Sequence, residues 1–253
     1  FEKSDFDSKF IQIDINENEI SNFIKASDYL VCDIKDFLTK LNSLNFSGVN
    51  FEKWLDEVQN LRKLNVIRAR KTNLLHSFEV LRKIEEFTKD KSLTFTSEVG
   101  QHQLWAVQNI SQNNDRRILV SGGSGTMGFG FPAAIGVAVA KPENPVVCIT
   151  GDGSFQMGLH ELATCADYNL KVKIMILNNG YLGMVRQLQE KQCHSHYSQT
   201  KISNPDFVQL AKSYGFRGAR VTSVDQIDDA LNMAFSTNET FVIDFAIEPM
   251  EVL

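Results

Sequence analysis

Two polar side chains directly follow two apolar runs of the sequence. Asp152 stands between glycines after the run 146–150, and Asn179 follows the run 172–177, 27 residues beyond Asp152. Because the carboxyl ends of neighbouring parallel strands meet at one edge of a sheet, both side chains would offer oxygen to the same point. Mg²⁺ prefers an octahedron of oxygens and is usually held by few protein groups together with phosphate oxygens. The pair therefore predicts a magnesium–diphosphate site, completed by a nearby backbone carbonyl and water.

A second candidate is the glycine-rich segment 121–130, which holds five glycines. Such a loop lets backbone approach a ligand closely, and the helix start after it offers N–H groups to an anion. Gly123, Gly125 and Gly128 also match the dinucleotide pattern G-x-G-x-x-G, in which Asp152 would bind ribose hydroxyls. Two simpler interpretations stay open at this point: the glycines serve only turns and helix packing, and Asp152 caps the helix that follows it.

Composition excludes several classes of function. The 26 basic and 31 acidic residues give a net charge of −5, which argues against a nucleic-acid binder. No apolar run reaches the roughly 18 residues of a membrane-spanning helix, and only five prolines argue against disorder. The four cysteines form no C-x-x-C pair, and 193–196 (Cys-His-Ser-His) is interpreted as a polar loop. Without a signal peptide, free thiols and a cytoplasmic location are expected.

The elements that must position these residues are predicted from periodicity. Residues 9–15 alternate like a strand, and a second apolar run at 29–32 precedes a helix at 34–44, which is typical of the tail of an α/β domain. Further strands are predicted at 93–96, 117–120, 146–150, 172–177 and 241–247. Alternation with helices predicts a parallel sheet covered by helices on both faces. Pro205 is placed in the first turn of a helix at 204–214, and Ser223 to Gln226 is interpreted as a capping box.

Three segments follow from this pattern. Residues 1–45 are interpreted as the carboxy-terminal tail of a central domain, 46–75 as a helix and connector, and 76–253 as the cofactor-binding domain. The chain opens at Phe1, so it is expected to be a piece of a longer protein.

The sequence Gly151-Asp152-Gly153 followed by Asn178-Asn179 resembles the diphosphate-anchoring motif of thiamine-diphosphate enzymes. Within that superfamily, the stretches 99–105, 125–134 and 177–187 are similar to the catalytic large subunit of the acetolactate (acetohydroxyacid) synthase family. The resemblance covers essentially the whole chain, and the first 45 residues or so are similar to the end of the FAD-carrying central domain of that family.

The resemblance implies a set of roles at the cofactor. Asp152 and Asn179 would bind Mg²⁺ through side-chain oxygens, and Tyr181 through its main-chain carbonyl. The Gly125 carbonyl would accept a hydrogen bond from the aminopyrimidine amino group, and Met127 would support the bent form of the cofactor.

The remaining implied contacts extend along the cofactor and to FAD. The following residues would lie along the diphosphate: Gly100, Gln101, His102, Gly153 and Ser154. Gly183 and Met184 would continue the same wall. Asp14 and Asp33 match positions that touch FAD in the family.

The activity implied is the condensation of pyruvate with a second 2-keto acid, pyruvate or 2-ketobutyrate, with loss of CO₂, in branched-chain amino-acid (isoleucine and valine) biosynthesis. The family implies a homodimer or tetramer and a small regulatory subunit. Its essential glutamate belongs to an amino-terminal domain that is absent here, so this chain alone is expected to be inactive. Leu188 departs from the usual tryptophan of the substrate channel, which affects the choice of second substrate and the response to herbicides.

Two alternatives remain. One is another thiamine-diphosphate enzyme of the same architecture, of the pyruvate oxidase or glyoxylate carboligase type, which a product assay would distinguish. The other is an NAD-binding oxidoreductase domain built on the glycine pattern at 123–128, which protection by NAD against thermal unfolding would reveal.

Overall fold

The computed structural model describes residues 9–44, 50–64, 72–113 and 115–252. The chain divides into two compact units, Phe1–Ile67 and Arg68–Leu253. Most of the predicted connector, residues 65–71, lies outside the described residues. The predicted segment limits at 45 and 75 therefore stay a prediction.

The first unit contains a parallel pair of strands, β1 (Ile11–Asp14) and β2 (Asp28–Val31). Helix α1 (Ile34–Ser43) follows, and helix α2 spans Glu52–Leu64. Asp33 is the N-cap of α1, where its carboxylate accepts a hydrogen bond from the Lys35 N–H at 2.7 Å. Both strands and α1 begin and end within two residues of the positions predicted from the alternating pattern.

The second unit is built on six parallel strands in the order β4-β3-β5-β6-β8-β7. The strands have these bounds: β3 Leu93–Ser97, β4 Arg116–Val120, β5 Val146–Gly151, β6 Val172–Asn178, β7 Arg217–Val221 and β8 Phe241–Ala246. The helices between them are α3 Ser77–Thr88, α4 Gln101–Asn109, α5 Gly130–Ala140, α6 Asp152–Gln156, α7 Leu162–Asp167, α8 Gly183–Gln192, α9 Phe207–Ser213 and α10 Ile227–Phe235.

Two hydrophobic clusters cover the two faces of this sheet. One joins apolar residues of α3, α4 and α10 to Val147 and Ile149 of β5. The other joins those of α5, α7 and α9 to Val146 and Cys148 of the same strand. Because successive side chains of a strand point to opposite faces, a strand that is apolar at every position must be covered on both sides. The predicted fold class is therefore confirmed.

The order of the strands creates one crevice that matters for function. The chain passes from β3 outward to β4 and then returns across β3 to form β5 on its other side. The connections after β3 and β5 therefore leave the sheet in opposite directions and open a space at their carboxyl ends. Asp152 lies at this point, directly after β5.

Two local predictions were wrong. Helix α9 begins at Phe207 and is capped by Asp206, whose carboxylate accepts from the backbone N–H groups of Val208 and Gln209 at 3.0 and 2.9 Å, so Pro205 lies before the helix. The predicted capping box does not form at Ser223, because the Gln226 side chain instead accepts from the Thr222 N–H at 2.8 Å. Strand β7 was not predicted, because its edge position leaves it half polar.

Among the described residues, no helix is both long and apolar enough to cross a membrane.

Candidate functional site

A cleft of about 500 Å³ opens at the carboxyl edge of the sheet, where β3, β5 and β6 end. Eleven of the residues predicted from the sequence line it: Gly100, Gln101, His102, Met127, Asp152, Gly153, Ser154, Asn179, Tyr181, Gly183 and Met184. Apolar side chains of Val99, Leu182, Val185 and Ile247 complete the wall. The cleft therefore combines a mostly apolar lining with a few convergent polar groups, which is the usual form of a small-molecule site.

Asp152 and Asn179 meet at this cleft. Asp152 is 2% exposed, and its Oδ2 accepts a hydrogen bond from the backbone N–H of Gly180 at 2.8 Å, the residue directly after Asn179. Asn179 Oδ1 accepts from the Tyr181 N–H at 3.0 Å, which folds the turn after β6 back towards the cleft. The Asp152 side chain is thus bonded to the same turn that carries Asn179. The N-cap of α6 is Gly151 and not Asp152.

The hydrogen bonds to the Asp152 carboxylate come from neutral groups, the Asn204 amide and backbone N–H groups. Burial raises the pKa of this carboxyl above its usual range, and hydrogen bonds from Asn204 and from backbone N–H groups oppose the rise. Among the described residues, no lysine or arginine contributes to this balance. A buried carboxylate is stable only when it is paired or coordinates a metal, so the donor set fits a divalent cation bound between Asp152 and Asn179.

Glu98 is a buried acid that the sequence analysis missed. It is 1% exposed, and its Oε2 accepts from the N–H of Gly130 at 2.7 Å, while its Oε1 accepts from the Thr150 hydroxyl. The same Oε1 lies 3.2 Å from His102 Nε2. Glu98 thus joins the end of β5, the end of the glycine-rich loop and a cleft residue. A signal was available in the sequence, because Glu98 directly follows the buried strand β3 and stands two residues before Gly100.

Several glycines of the site are required by side chains of the chain itself. A Cβ on Gly100 would lie 2.5 Å from the His102 ring, and this glycine has a φ of +151°, which other residues rarely adopt. A Cβ on Gly151 would lie 2.8 Å from the same ring. A Cβ on Gly183 would lie 2.1 Å from Gln101 Oε1. His102 and Gln101 are therefore closely surrounded by backbone, which fixes where they stand in the cleft.

Glu251 holds the Gln101 side chain in place through a hydrogen bond. The carbonyl of Glu251 accepts from Gln101 Nε2 at 3.0 Å and from a guanidinium nitrogen of the fully buried Arg186 at 2.5 Å. The Glu251 carboxylate accepts from the Ser77 N–H at 3.1 Å and lies 3.5 Å from His76 Nδ1. Burial raises the pKa of this carboxyl, against the hydrogen bonds from Ser77 and the nearby His76.

Three predicted residues do not line the cleft. Gly125 is exposed in the glycine-rich loop, where a Cβ would contact Val99 at 3.7 Å. Asp14 and Asp33 belong to the first unit, where Asp14 accepts from the Asn16 N–H at 2.9 Å and Asp33 caps α1. Leu188 is 45% exposed on α8.

The segment 193–196 forms a turn, with Cys193 exposed. No group of three or more His, Cys, Asp or Glu side chains suited to a metal ion occurs in the part of the chain that the structure describes. The four cysteines are free.

Comparison with known proteins identifies the class. Residues 98–245 match the family model described as "Thiamine pyrophosphate enzyme, C-terminal TPP binding domain". The chain belongs to this family of thiamine-pyrophosphate enzymes. The dinucleotide interpretation of the glycine pattern is accordingly set aside, and thiamine diphosphate is the cofactor for which this domain is built.

Relatives narrow the class further. The chain is 39% identical over 261 residues to the probable acetolactate synthase large subunit of Methanocaldococcus jannaschii, covering 98% of this chain and 43% of that protein. It is 36% identical over 269 residues to the probable acetolactate synthase large subunit of Methanococcus aeolicus, covering 97% and 44%. It is 35% identical over 243 residues to the acetolactate synthase isozyme 2 large subunit of Escherichia coli, covering 95% and 43%. The chain thus spans less than half the length of the curated relatives it matches.

Proposed function

We propose that this chain is the cofactor-binding part of an acetolactate synthase large subunit. The full protein would join pyruvate to a second 2-keto acid, pyruvate or 2-ketobutyrate, with loss of CO₂, on the way to branched-chain amino acids. The observation that carries the proposal is the meeting of Asp152 and Asn179 at one cleft, in a chain homologous to such subunits over nearly its whole length.

The proposed binding roles follow from the positions in the cleft. The side chains of Asp152 and Asn179 and the carbonyl of Tyr181 would hold Mg²⁺, which in turn would hold the diphosphate. Gly100, Gln101 and His102 begin α4 at the cleft, so the unpaired N–H groups of its first turn face the place of the anion. Gly153 and Ser154 line the same side.

Thiamine diphosphate supplies the carbanion chemistry when it is bound, and the protein supplies placement and electrostatics. Met127, Leu182 and Met184 give the cleft an apolar wall that would exclude water from the reacting carbon. Gln101 is held by Glu251 and Gln187 at 3.0 and 2.7 Å, so it presents a fixed amide to the cleft. The carbonyl of Gly125 would accept from the amino group of the aminopyrimidine.

Further parts of the proposal concern the whole protein. FAD would bind near Asp14 and Asp33, because Asp14 ends β1 and Asp33 follows β2 at the same edge of the small sheet of the first unit. The assembly would be a homodimer or tetramer with a small regulatory subunit, located in the cytoplasm.

A product assay tests the reaction. The complete protein, supplied with pyruvate, thiamine diphosphate and Mg²⁺, is expected to release acetolactate. Acetate or acetaldehyde as the main product would instead assign it to the pyruvate oxidase type, and tartronate semialdehyde from glyoxylate to the glyoxylate carboligase type. Addition of 2-ketobutyrate to the same assay measures the preference for the second substrate.

A further inference from the structure

Asn204 contacts Asp152 from outside the motifs that identify the site. It lies in the segment before α9 and is half-buried. Its Nδ2 donates to Asp152 Oδ2 at 2.7 Å and to Asn178 Oδ1 at 2.9 Å. Among the described residues, it is the one side chain that donates a hydrogen bond to Asp152.

The orientation of the Asn204 amide is determined by its partners. Gln156 Nε2 donates to Asn204 Oδ1 at 2.8 Å and also to the Ser203 carbonyl at 3.2 Å. An exchange of oxygen and nitrogen on Asn204 would place a nitrogen against the Gln156 donor and an oxygen against the Asp152 carboxylate. Since a carboxylate only accepts hydrogen bonds when ionised, the observed orientation is the one that satisfies all three partners.

The orientation of Asn178 is fixed in the same way. Its Nδ2 donates to Asp244 Oδ1 at 2.9 Å, and Asp244 also accepts from Arg220. Asp244 is 1% exposed, and burial raises its pKa against the opposing effects of Asn178 and Arg220. The hydrogen bonds therefore run from Arg220 on β7, across β8 and β6, to Asp152 after β5, with each donor facing an acceptor.

This network engages one oxygen of Asp152. Its Oδ2 accepts from Asn204 and from the Gly180 N–H, at 2.7 and 2.8 Å. Two donors at these distances occupy that oxygen, so a cation would bind through Oδ1, to which no side chain of the described residues donates. Mg²⁺ demands a near-ideal octahedron at about 2.0–2.1 Å, whereas Ca²⁺ accepts a carboxylate through both oxygens at about 2.3–2.6 Å.

We propose that Asn204 is a positioning residue that restricts Asp152 to binding a cation through one oxygen, and that it thereby favours Mg²⁺ over Ca²⁺ in cofactor binding. The inference rests on the proposed function, because it assigns a role towards the cation that Asp152 and Asn179 would hold. Gln156 supports the same role by fixing the amide of Asn204.

The experiment measures cofactor affinity rather than turnover. Thiamine diphosphate is titrated by calorimetry into the complete protein that contains this chain and into its Asn204→Ala variant, in MgCl₂ and separately in CaCl₂. The Mg²⁺-supported affinity of the variant is expected to fall by roughly 10- to 100-fold, as for other groups that orient a metal ligand. The Ca²⁺-supported affinity is expected to fall much less, because Oδ2 then keeps only the Gly180 N–H of its two donors and becomes available to the larger ion.

Two further variants complete the design. Asn109→Ala is the matched control, because the Asn109 amide donates only to the Trp105 carbonyl of its own helix, at 2.8 Å. It is expected to leave both affinities unchanged. Gln156→Ala is expected to lower the ratio of Mg²⁺- to Ca²⁺-supported affinity in the same direction as Asn204→Ala, but less.

The possible outcomes separate the inference from the proposed function. An equal loss of affinity with both cations, or no loss, would overturn the positioning role while the proposed function stands. If the unchanged protein binds no thiamine diphosphate with either cation, the proposed function fails and this inference fails with it.

Discussion

The two edges of the six-stranded sheet bury charged side chains for different purposes. At the amino edge, Arg116 begins β4 and Lys173 stands near the start of β6, at 1% and 3% exposure. The Lys173 ammonium donates to the carbonyls of Thr237 and Glu239 at 2.9 and 2.6 Å. The Arg116 guanidinium donates to the Thr88 carbonyl and to the Glu85 carboxylate, and lies over the Phe95 ring.

At the carboxyl edge the buried charges are mostly acids, namely Glu98, Asp152, Asp244 and Glu251. In the described part of the chain, Asp244 is the one among these four that pairs with an arginine side chain, Arg220. The amino edge thus holds cations that donate to backbone carbonyls and to a carboxylate, whereas the carboxyl edge holds Asp152 with capacity for a cation. The difference indicates that the buried charges of the amino edge serve stability, whereas those of the carboxyl edge serve binding.

The largest expected effect is at the amino edge. Arg116→Met removes the guanidinium that donates to the Thr88 carbonyl and pairs with the Glu85 carboxylate, and is expected to lower the free energy of unfolding by about 3–5 kcal/mol. Urea unfolding measures the change, with the exposed neighbour Arg117→Met as the control. Thiamine diphosphate affinity per folded molecule should not change. A loss of thiamine diphosphate affinity among the folded molecules would contradict the division of roles between the two edges of the sheet.

The next effect is at the carboxyl edge and has the opposite pattern. Asp152→Ala removes the charge that would neutralise Mg²⁺ and is expected to lower Mg²⁺-dependent cofactor affinity by roughly 100-fold or more. Stability without cofactor should stay the same or rise, because a buried carboxylate with a raised pKa is removed. Calorimetry and urea unfolding give the two values, with the exposed Asp167→Ala as the control. Unchanged Mg²⁺-dependent affinity would refute the proposed metal site.

The pH dependence of folding stability tests the role of Lys173 at the amino edge. Burial lowers its pKa from 10.5 to about 8. Between these values the unfolded chain binds a proton that the folded chain has lost, so folding stability rises with pH in this range. The rise from pH 7.5 to pH 10.5 is expected to exceed that of Lys173→Met by roughly 2 kcal/mol. The exposed Lys141→Met variant should keep the rise, and an equal rise in all three proteins would show that Lys173 is not the source.

The smallest expected effect concerns Leu188. The side chain is 45% exposed on α8, so Leu188→Trp is expected to change the free energy of unfolding by no more than about 0.5 kcal/mol. Cofactor affinity is expected to stay within a factor of two, because Leu188 does not line the described cleft. A larger change in cofactor affinity would place Leu188 within the carboxyl-edge site. Comparison of products with and without 2-ketobutyrate then measures any effect on the second substrate.

The parts of the site that could be predicted are those encoded locally. Asp152 and Asn179 follow apolar strands, and parallel strands that are neighbours in sequence place their ends together. Strands β5 and β6 are largely continuous apolar runs and β1 alternates regularly, whereas β7 was missed because its edge position leaves it half polar.

The parts that could not be predicted depend on long-range approach. Asn204 stands 52 residues from Asp152, and Glu251 stands 150 residues from Gln101. Nothing in the spacing of these residues indicates contact, because the strand order β6-β8-β7 brings them together. Pro205 led to a predicted start of α9 that is too early, for a local reason. The residue that caps the helix is Asp206, so α9 begins at Phe207.

The contact between Gln101 and the Glu251 carbonyl has a consequence for biosynthesis of the protein. Glu251 is translated 150 residues after Gln101, so a growing chain on the ribosome lacks this support of the cleft until residue 251 has been added. Long-range pairing of this kind also forms slowly, because ordering the intervening loop precedes the gain from contact. The vitamin-derived ligand would therefore stabilise the finished domain rather than guide its early folding.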